Sequence, residues 1–241
     1  MFKYEGDLRK AIRSFWSVRG AQQAEQKARN TSDQGFRGAV TGGKQLDALV
    51  KLLRKVSLDA GVPENCIFTR ENELPGFFRP TKEWDFLVIS PKKKLVACIE
   101  FKSQVGPSFG NNFNNRAEEA LGSAVDLLTA YRDGVFPNQV SPWLGYLMLI
   151  ERCDCSTTPV SIKAPHFKVM REFNGSSYLD RYAILCRKLM RERLYTNTSL
   201  IWTQKAGAKV AYGYTDDELS FEKFIEMYSA HLAGQKSEFV D

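Results

Sequence analysis

Apolar positions follow two different periods along this chain. Leu8, Ile12, Phe15 and Trp16 recur at helical spacing. Leu46, Leu49, Val50, Leu53 and Val56 do so again in KQLDALVKLLRKVSLDAG, and Gly61-Val62-Pro63 ends that helix. The pattern then shortens. Residues 66–69 predict a short strand, and residues 84–90 and 95–101 predict two strands apolar on both faces, joined by the turn PKKK. The intervening ENELPGFFRPTKE, with two prolines and a glycine, reads as a loop. A long Gly/Asn loop is expected over 103–115. A helix follows over 116–131, with Ala117, Ala120, Leu121, Ala124, Leu127 and Leu128 on one face. Residues 143–150 form another buried strand. Farther on come a helix near 177–194, strands around 200–203 and 210–214, and a helix over 221–232. Residues 21–41 are polar and turn-rich, which predicts a mobile segment or one ordered by a partner.

The order helix, strand, strand, strand, helix, strand, in 241 residues, predicts one α/β domain spanning the chain. Its core is expected at about 42–151, with an N-terminal helix and arm over 1–41 and a C-terminal extension over 152–241. No apolar run approaches the roughly 20 residues that span a bilayer, and the N-terminus lacks an apolar signal region, so a soluble intracellular protein with no membrane partner is expected. Five cysteines at irregular spacing argue against a disulfide framework, and two histidines leave little for structural zinc. Lys and Arg outnumber Asp and Glu by 34 to 28, a balance that permits a polyanionic partner without establishing one.

Chemistry concentrates in Trp84-Asp85 and Cys98-Ile99-Glu100-Phe101-Lys102. Phosphodiester hydrolysis needs a cation against the phosphate charge, an oriented water and a stabilised leaving oxygen. Asp85 and Glu100 sit on consecutive strands that antiparallel pairing brings together. Glu100 and Lys102, two apart, share a strand face. Two carboxylates suit Mg²⁺, and the lysine can orient the attacking water. The competing reading is a salt bridge at a strand end, since the pattern is short.

This arrangement resembles the PD-(D/E)xK nuclease superfamily. More narrowly, PGFFRPTKEWDFLVI followed by EFKSQVGPSFGNNFNNRAEEALGSA resembles the XhoI family of type II restriction endonucleases, as do the PHF, GSSYLDRY and LCRKL segments downstream. The likeness runs from about Gly42 to about Leu189, with Trp84 where the superfamily pattern has proline. It implies a restriction-endonuclease-like core, a central mixed β-sheet flanked by helices, with N- and C-terminal extensions. It implies Asp85, Glu100 and the Phe101 carbonyl as metal ligands and Lys102 as the catalytic lysine, with Mg²⁺ as cofactor. It further implies a homodimer in the bacterial cytoplasm that cuts both strands of duplex DNA at CTCGAG and leaves 5′-phosphate ends. A separate DNA methyltransferase would protect the host. Two alternatives stay open: a repair or recombination nuclease on the same fold, and a DNA-binding module without catalysis.

Several residues carry a double reading. Asp47 is an auxiliary acid or the surface partner of Lys51; Glu73 is a weaker candidate for the acid. In the Gly/Asn segment, Ser103, Gln104, Ser108, Asn111, Asn112, Asn114, Asn115 and Arg116 are candidates for DNA contact, through carboxamides on adenine and guanidinium on guanine. The alternative there is an irregular surface loop with Asn115 as a helix cap. Arg79 and Lys82 are placed against the DNA backbone before Asp85. Lys92–Lys94 and the basic positions 187, 188, 191 and 193 read as solvated surface, and His166 as structural.

Overall fold

A computed structural model describes residues 2–28 and 44–240. Helices α1 (Glu5–Ala28) and α2 (Asp47–Asp59) form where the apolar stripes predict them, burying Leu8, Ile12, Phe15, Leu49, Leu53 and Val56. Next come β1 (Ile67–Phe68), the short strands β2 (Glu73–Pro75) and β3 (Thr81–Glu83), then β4 (Phe86–Ile89) and β5 (Leu95–Gln104). Helix α3 (Phe109–Arg132) leads to β6 (Trp143–Glu151). The chain ends with α4 (Asp154–Thr157), α5 (Tyr178–Arg191), β7 (Asn197–Ala206), β8 (Lys209–Tyr214) and α6 (Phe221–Gly234).

Six strands form one sheet in the order β1-β4-β5-β6-β7-β8. The β1–β4, β4–β5 and β7–β8 pairs are antiparallel; β5–β6 and β6–β7 are parallel. The sheet is therefore mixed, as expected. A parallel pair needs a crossover, which α3 and α5 supply. Both faces are covered, so the central strands are apolar throughout. On one face Phe86, Ile99, Leu147 and Ile201 pack with α1, α2 and α6. On the other, Leu87, Cys98, Tyr146 and Leu200 pack with α3 and α5. Among the described residues no helix is long and apolar enough to cross a membrane.

The structure departs from the sequence expectations in four places. The Gly/Asn segment is not a loop over 103–115: β5 continues to Gln104 and α3 begins at Phe109, so Asn111, Asn112, Asn114 and Asn115 lie on helical turns. Asn and Gly are poor helix formers, but Phe109 stacks on Tyr178 and Phe113 meets Tyr182 edge-on, and this packing overrides propensity. On the same helix Leu121 is exposed, while Ser123 and Asp126 are buried. The expected loop over 71–83 contains the β2–β3 hairpin, whose strands of three residues are too short to show a period. Of the polar segment 21–41, residues 21–28 continue α1. Residues 29–43, which include the rest of that segment and Gly42-Gly43, lie outside the described residues.

Candidate active site

The β4–β5 register pairs Phe86 with Ile99 and Leu87 with Cys98. Continued by one position, it sets Asp85 opposite Glu100. Opposed residues on antiparallel strands share a face, and Lys102, two positions on, joins them. This is the face covered by α3 and α5. Asp85 Oδ2 accepts the Phe101 backbone N–H at 2.7 Å, which fixes its carboxylate against β5.

Glu100 is 4% exposed and carries an ammonium on each oxygen. Lys102 pairs with Oε1. Lys82 lies 2.7 Å from Oε2, with its charge 4.2 Å from the centre of the Trp84 ring. Lys82, a candidate for the DNA backbone, lies on β3 and reaches Glu100. Glu119 of α3 approaches Lys102 at 3.9 Å and pairs with Arg116. Burial, then the Glu100 charge, push the Asp85 carboxyl up to about 6. Burial pulls the Lys102 ammonium down, but the charge and hydrogen bond of Glu100 outweigh it, so Lys102 titrates above its ordinary range.

Two open grooves meet at this cluster. One, of about 800 Å³, is lined by Asp47, Asp85, Glu100, Lys102 and Arg116. The other, of about 610 Å³, is lined by Phe78, Arg79, Lys82, Glu100, Lys102 and Glu119. Asp47 is exposed on the rim of the first, and among the described residues it forms no ion pair with Lys51. Glu73 is exposed on β2, opposite Glu83. Ser103 Oγ accepts from Gln45 Nε2 at 2.9 Å, and Arg19 of α1 donates to Gln45 at 3.1 Å. Gln104 is buried, its Nε2 on the Val105 carbonyl. Ser108, Asn111, Asn114 and Asn115 are exposed, and Asn112 is half-buried.

Arg79 is tied down by Asp126, which sequence reasoning missed because it reads as one more polar helical residue. Asp126 is 4% exposed. Its Oδ1 accepts from the backbone N–H groups of Phe77 and Phe78 at 2.8 and 2.7 Å, and its Oδ2 from Arg79 Nε at 2.7 Å. Burial raises its carboxyl, but these hydrogen bonds more than reverse that, and the group titrates below its usual range. Gly76 permits the close approach, since a Cβ there would sit 2.4 Å from Asp126 Oδ2.

The donor set fits a hard divalent cation. It offers two carboxylates, one of which is disfavoured as a bare anion, and Mg²⁺ ordinarily takes one or two carboxylates plus waters. Among the described residues no cluster of three or more His, Cys, Asp or Glu joins them. One consequence is testable without DNA. An acid whose carboxyl is raised on folding stabilises the fold at low pH and loses that contribution as pH rises. Metal-free protein is therefore expected to lose up to about 3 kcal/mol between pH 4 and 6 from Asp85 alone. Urea melts in EDTA across that window check this, and Asp85→Asn should flatten the dependence.

A mixed sheet with two carboxylates and a lysine on its antiparallel β4–β5 ladder has the architecture of the restriction-endonuclease-like nucleases. The family model described as restriction endonuclease XhoI matches residues 25–214, and the chain belongs to that family of site-specific deoxyribonucleases. It is 46% identical over 213 residues to the type II restriction enzyme BstVI of Geobacillus stearothermophilus, covering 86% of this chain and 95% of that one. It is also 46% identical over 191 residues to the type II restriction enzyme XhoI of Xanthomonas vasicola, covering 78% of this chain and 76% of that one. No solved structure matches.

Proposed function

We propose that this chain, as one nuclease domain in a homodimer, hydrolyses both strands of duplex DNA at CTCGAG with Mg²⁺ and leaves 5′-phosphate and 3′-hydroxyl ends. The observation that carries the reading is the shared face of Asp85, Glu100 and Lys102 where two open grooves meet. The site sequence rests on the family resemblance. A two-fold symmetric site suits a two-fold dimer, each subunit cutting one strand. The biological setting is the bacterial cytoplasm, with a separate methyltransferase protecting the host's own copies of the site.

Asp85 and Glu100 would hold the cation, with the Phe101 carbonyl as a further ligand. The bound cation supplies charge stabilisation to the phosphate and a more acidic water. Lys102 positions the attacking water on the face it shares with Glu100. The water oxygen bonds to phosphorus, the bond from phosphorus to the 3′ oxygen breaks, and one water is consumed per strand. Asp47, on the groove rim, is the auxiliary acid in this reading. Arg79, Arg116, Ser103, Ser108 and the four asparagines at the start of α3 are the contacts that hold the duplex.

Digestion of a plasmid with one CTCGAG site, beside a plasmid lacking it, tests the proposal. Cutting of the first alone, in Mg²⁺ and not in EDTA, is expected. Cutting of both would overturn the assigned site. Cutting of neither by folded protein would overturn catalysis on duplex DNA.

A further inference from the structure

The tip of the β2–β3 hairpin presents two aromatic rings to solvent. Phe77 is 48% and Phe78 70% exposed, and their rings meet edge to face with centroids 4.9 Å apart. Free rings of this size would ordinarily be folded inward, where each contributes substantial apolar burial. Here both stay exposed on a tip whose backbone is anchored. The buried Asp126 carboxylate takes both Phe N–H groups and the Arg79 Nε, and Gly76 leaves room for it. Burying a carboxylate is unfavourable unless its bonds are satisfied. All the partners that satisfy this one belong to the tip, so its effect is to fix the tip's backbone, from which both rings project into solvent.

The location says what the rings meet. Phe78 and Arg79 line the same groove as Lys82, Glu100 and Lys102. Arg79 spends its Nε on Asp126, and its side chain is 43% exposed. An exposed apolar edge on an anchored backbone, beside a cation and on the wall of the proposed DNA-cleaving groove, matches a duplex, with base faces for the rings and a phosphate for the guanidinium. The reacting carboxylates are recessed, so the scissile phosphate has to be brought down to them. Phe side chains driven between base steps bend a duplex in this way, at an unstacking cost of a few kcal/mol per step.

We infer that Phe77 and Phe78 form an aromatic wedge that unstacks the duplex beside the scissile phosphate, with Arg79 on a neighbouring phosphate. The inference rests on the DNA-cleavage reading above, and it adds a distortion of the duplex at the cut together with the residues that produce it.

The test uses full-length protein and duplexes that carry CTCGAG with 2-aminopurine placed in turn at the site's adenine and at each of the adjoining positions. Ca²⁺ replaces Mg²⁺ so that the complex stays uncut. Wild type is expected to raise the fluorescence at one position. Phe78→Ala and the Phe77→Ala/Phe78→Ala pair should lose that rise and cut roughly 10- to 100-fold more slowly in Mg²⁺, in line with the worth of one stacked base. Their melting temperatures without DNA should match wild type, because exposed rings leave no core hole. Phe78→Trp should restore the signal. Variants that keep both signal and rate would overturn the wedge while leaving the cleavage reading intact. A double variant that keeps the signal but changes from dimer to monomer in sedimentation would make the tip a subunit contact and overturn the wedge equally. Wild type that neither binds nor cuts the duplex would remove the DNA-cleavage reading and the wedge with it.

Discussion

Replacing Asp85 with alanine is expected to slow DNA cleavage by at least about 10³-fold and, at the same time, to stabilise the metal-free protein near neutral pH. The two effects have one cause. Asp85 is packed beside Glu100 in a mostly buried position, where its charged form is disfavoured and its carboxyl titrates at about 6. In the unfolded chain an aspartate titrates near 4. Above pH 6 both states carry the charge, and only the folded one is penalised. Removing the carboxylate relieves that penalty, worth up to about 3 kcal/mol. It also removes one of the two carboxylates proposed to hold the cation, and among the described residues no cluster of three or more His, Cys, Asp or Glu stands in for it. Single-turnover cleavage in Mg²⁺, duplex binding in Ca²⁺ and urea melts in EDTA separate the three readouts. Cleavage within tenfold of wild type would remove Asp85 from the reaction centre. Lys102→Ala should match its loss of rate. It should not match its gain in stability, because Lys102 compensates the Glu100 charge.

Asp126→Ala should produce the opposite combination, a destabilised protein whose carboxylate pair is intact. The substitution removes the acceptor for two backbone N–H groups and one guanidinium at a nearly buried position. Leaving these donors without their acceptor costs about 1–3 kcal/mol, since Arg79 itself remains partly solvated. In a chain of this size that corresponds to a fall in melting temperature of roughly 2–12 °C. Lys82 sits on the neighbouring strand, two residues beyond the tip, so release of the tip also loosens one of the two ammonium groups on Glu100. Cleavage should fall together with stability. Asp126→Asn keeps an acceptor for the two N–H groups and loses only the charge opposite Arg79, so a smaller decrease is expected. Differential scanning calorimetry decides the matter: an alanine variant melting with wild type would show that the tip is held by something else.

The parts of this molecule that were legible in the sequence are those with a period or an improbable charge. β4, β5 and β6 appear as apolar runs too dense for one-sided strands. Glu100 and Lys102 stand out because they end such a run, and the register that sets Asp85 against Glu100 follows from a short turn between two strands. The remainder depends on contacts between distant segments. Lys82 reaches Glu100 from a three-residue strand that has no detectable pattern. Asp126 looks like any acid on a helix until the hairpin tip is folded against it. The asparagines at the start of α3 read as loop because their intrinsic preference is against helix, and only the rings of Phe109, Phe113, Tyr178 and Tyr182 show what overrides it. Gln45 and Arg19, which reach Ser103 in a chain of hydrogen bonds, carry no local signal at all.

The two carboxylates and the lysine belong to one stretch of adjacent antiparallel strands, joined by the five residues from Ser90 to Lys94. The hairpin tip, the start of α3 and the rim of α2 come from other parts of the chain. In the proposed reading the reaction is confined to the β4–β5 hairpin, while every duplex contact except Ser103 lies outside it. In that reading the contacts outside the hairpin can be exchanged to change which duplex is accepted without touching the cutting hairpin, and a variant stripped of the hairpin's charges is expected to keep its grip on the target.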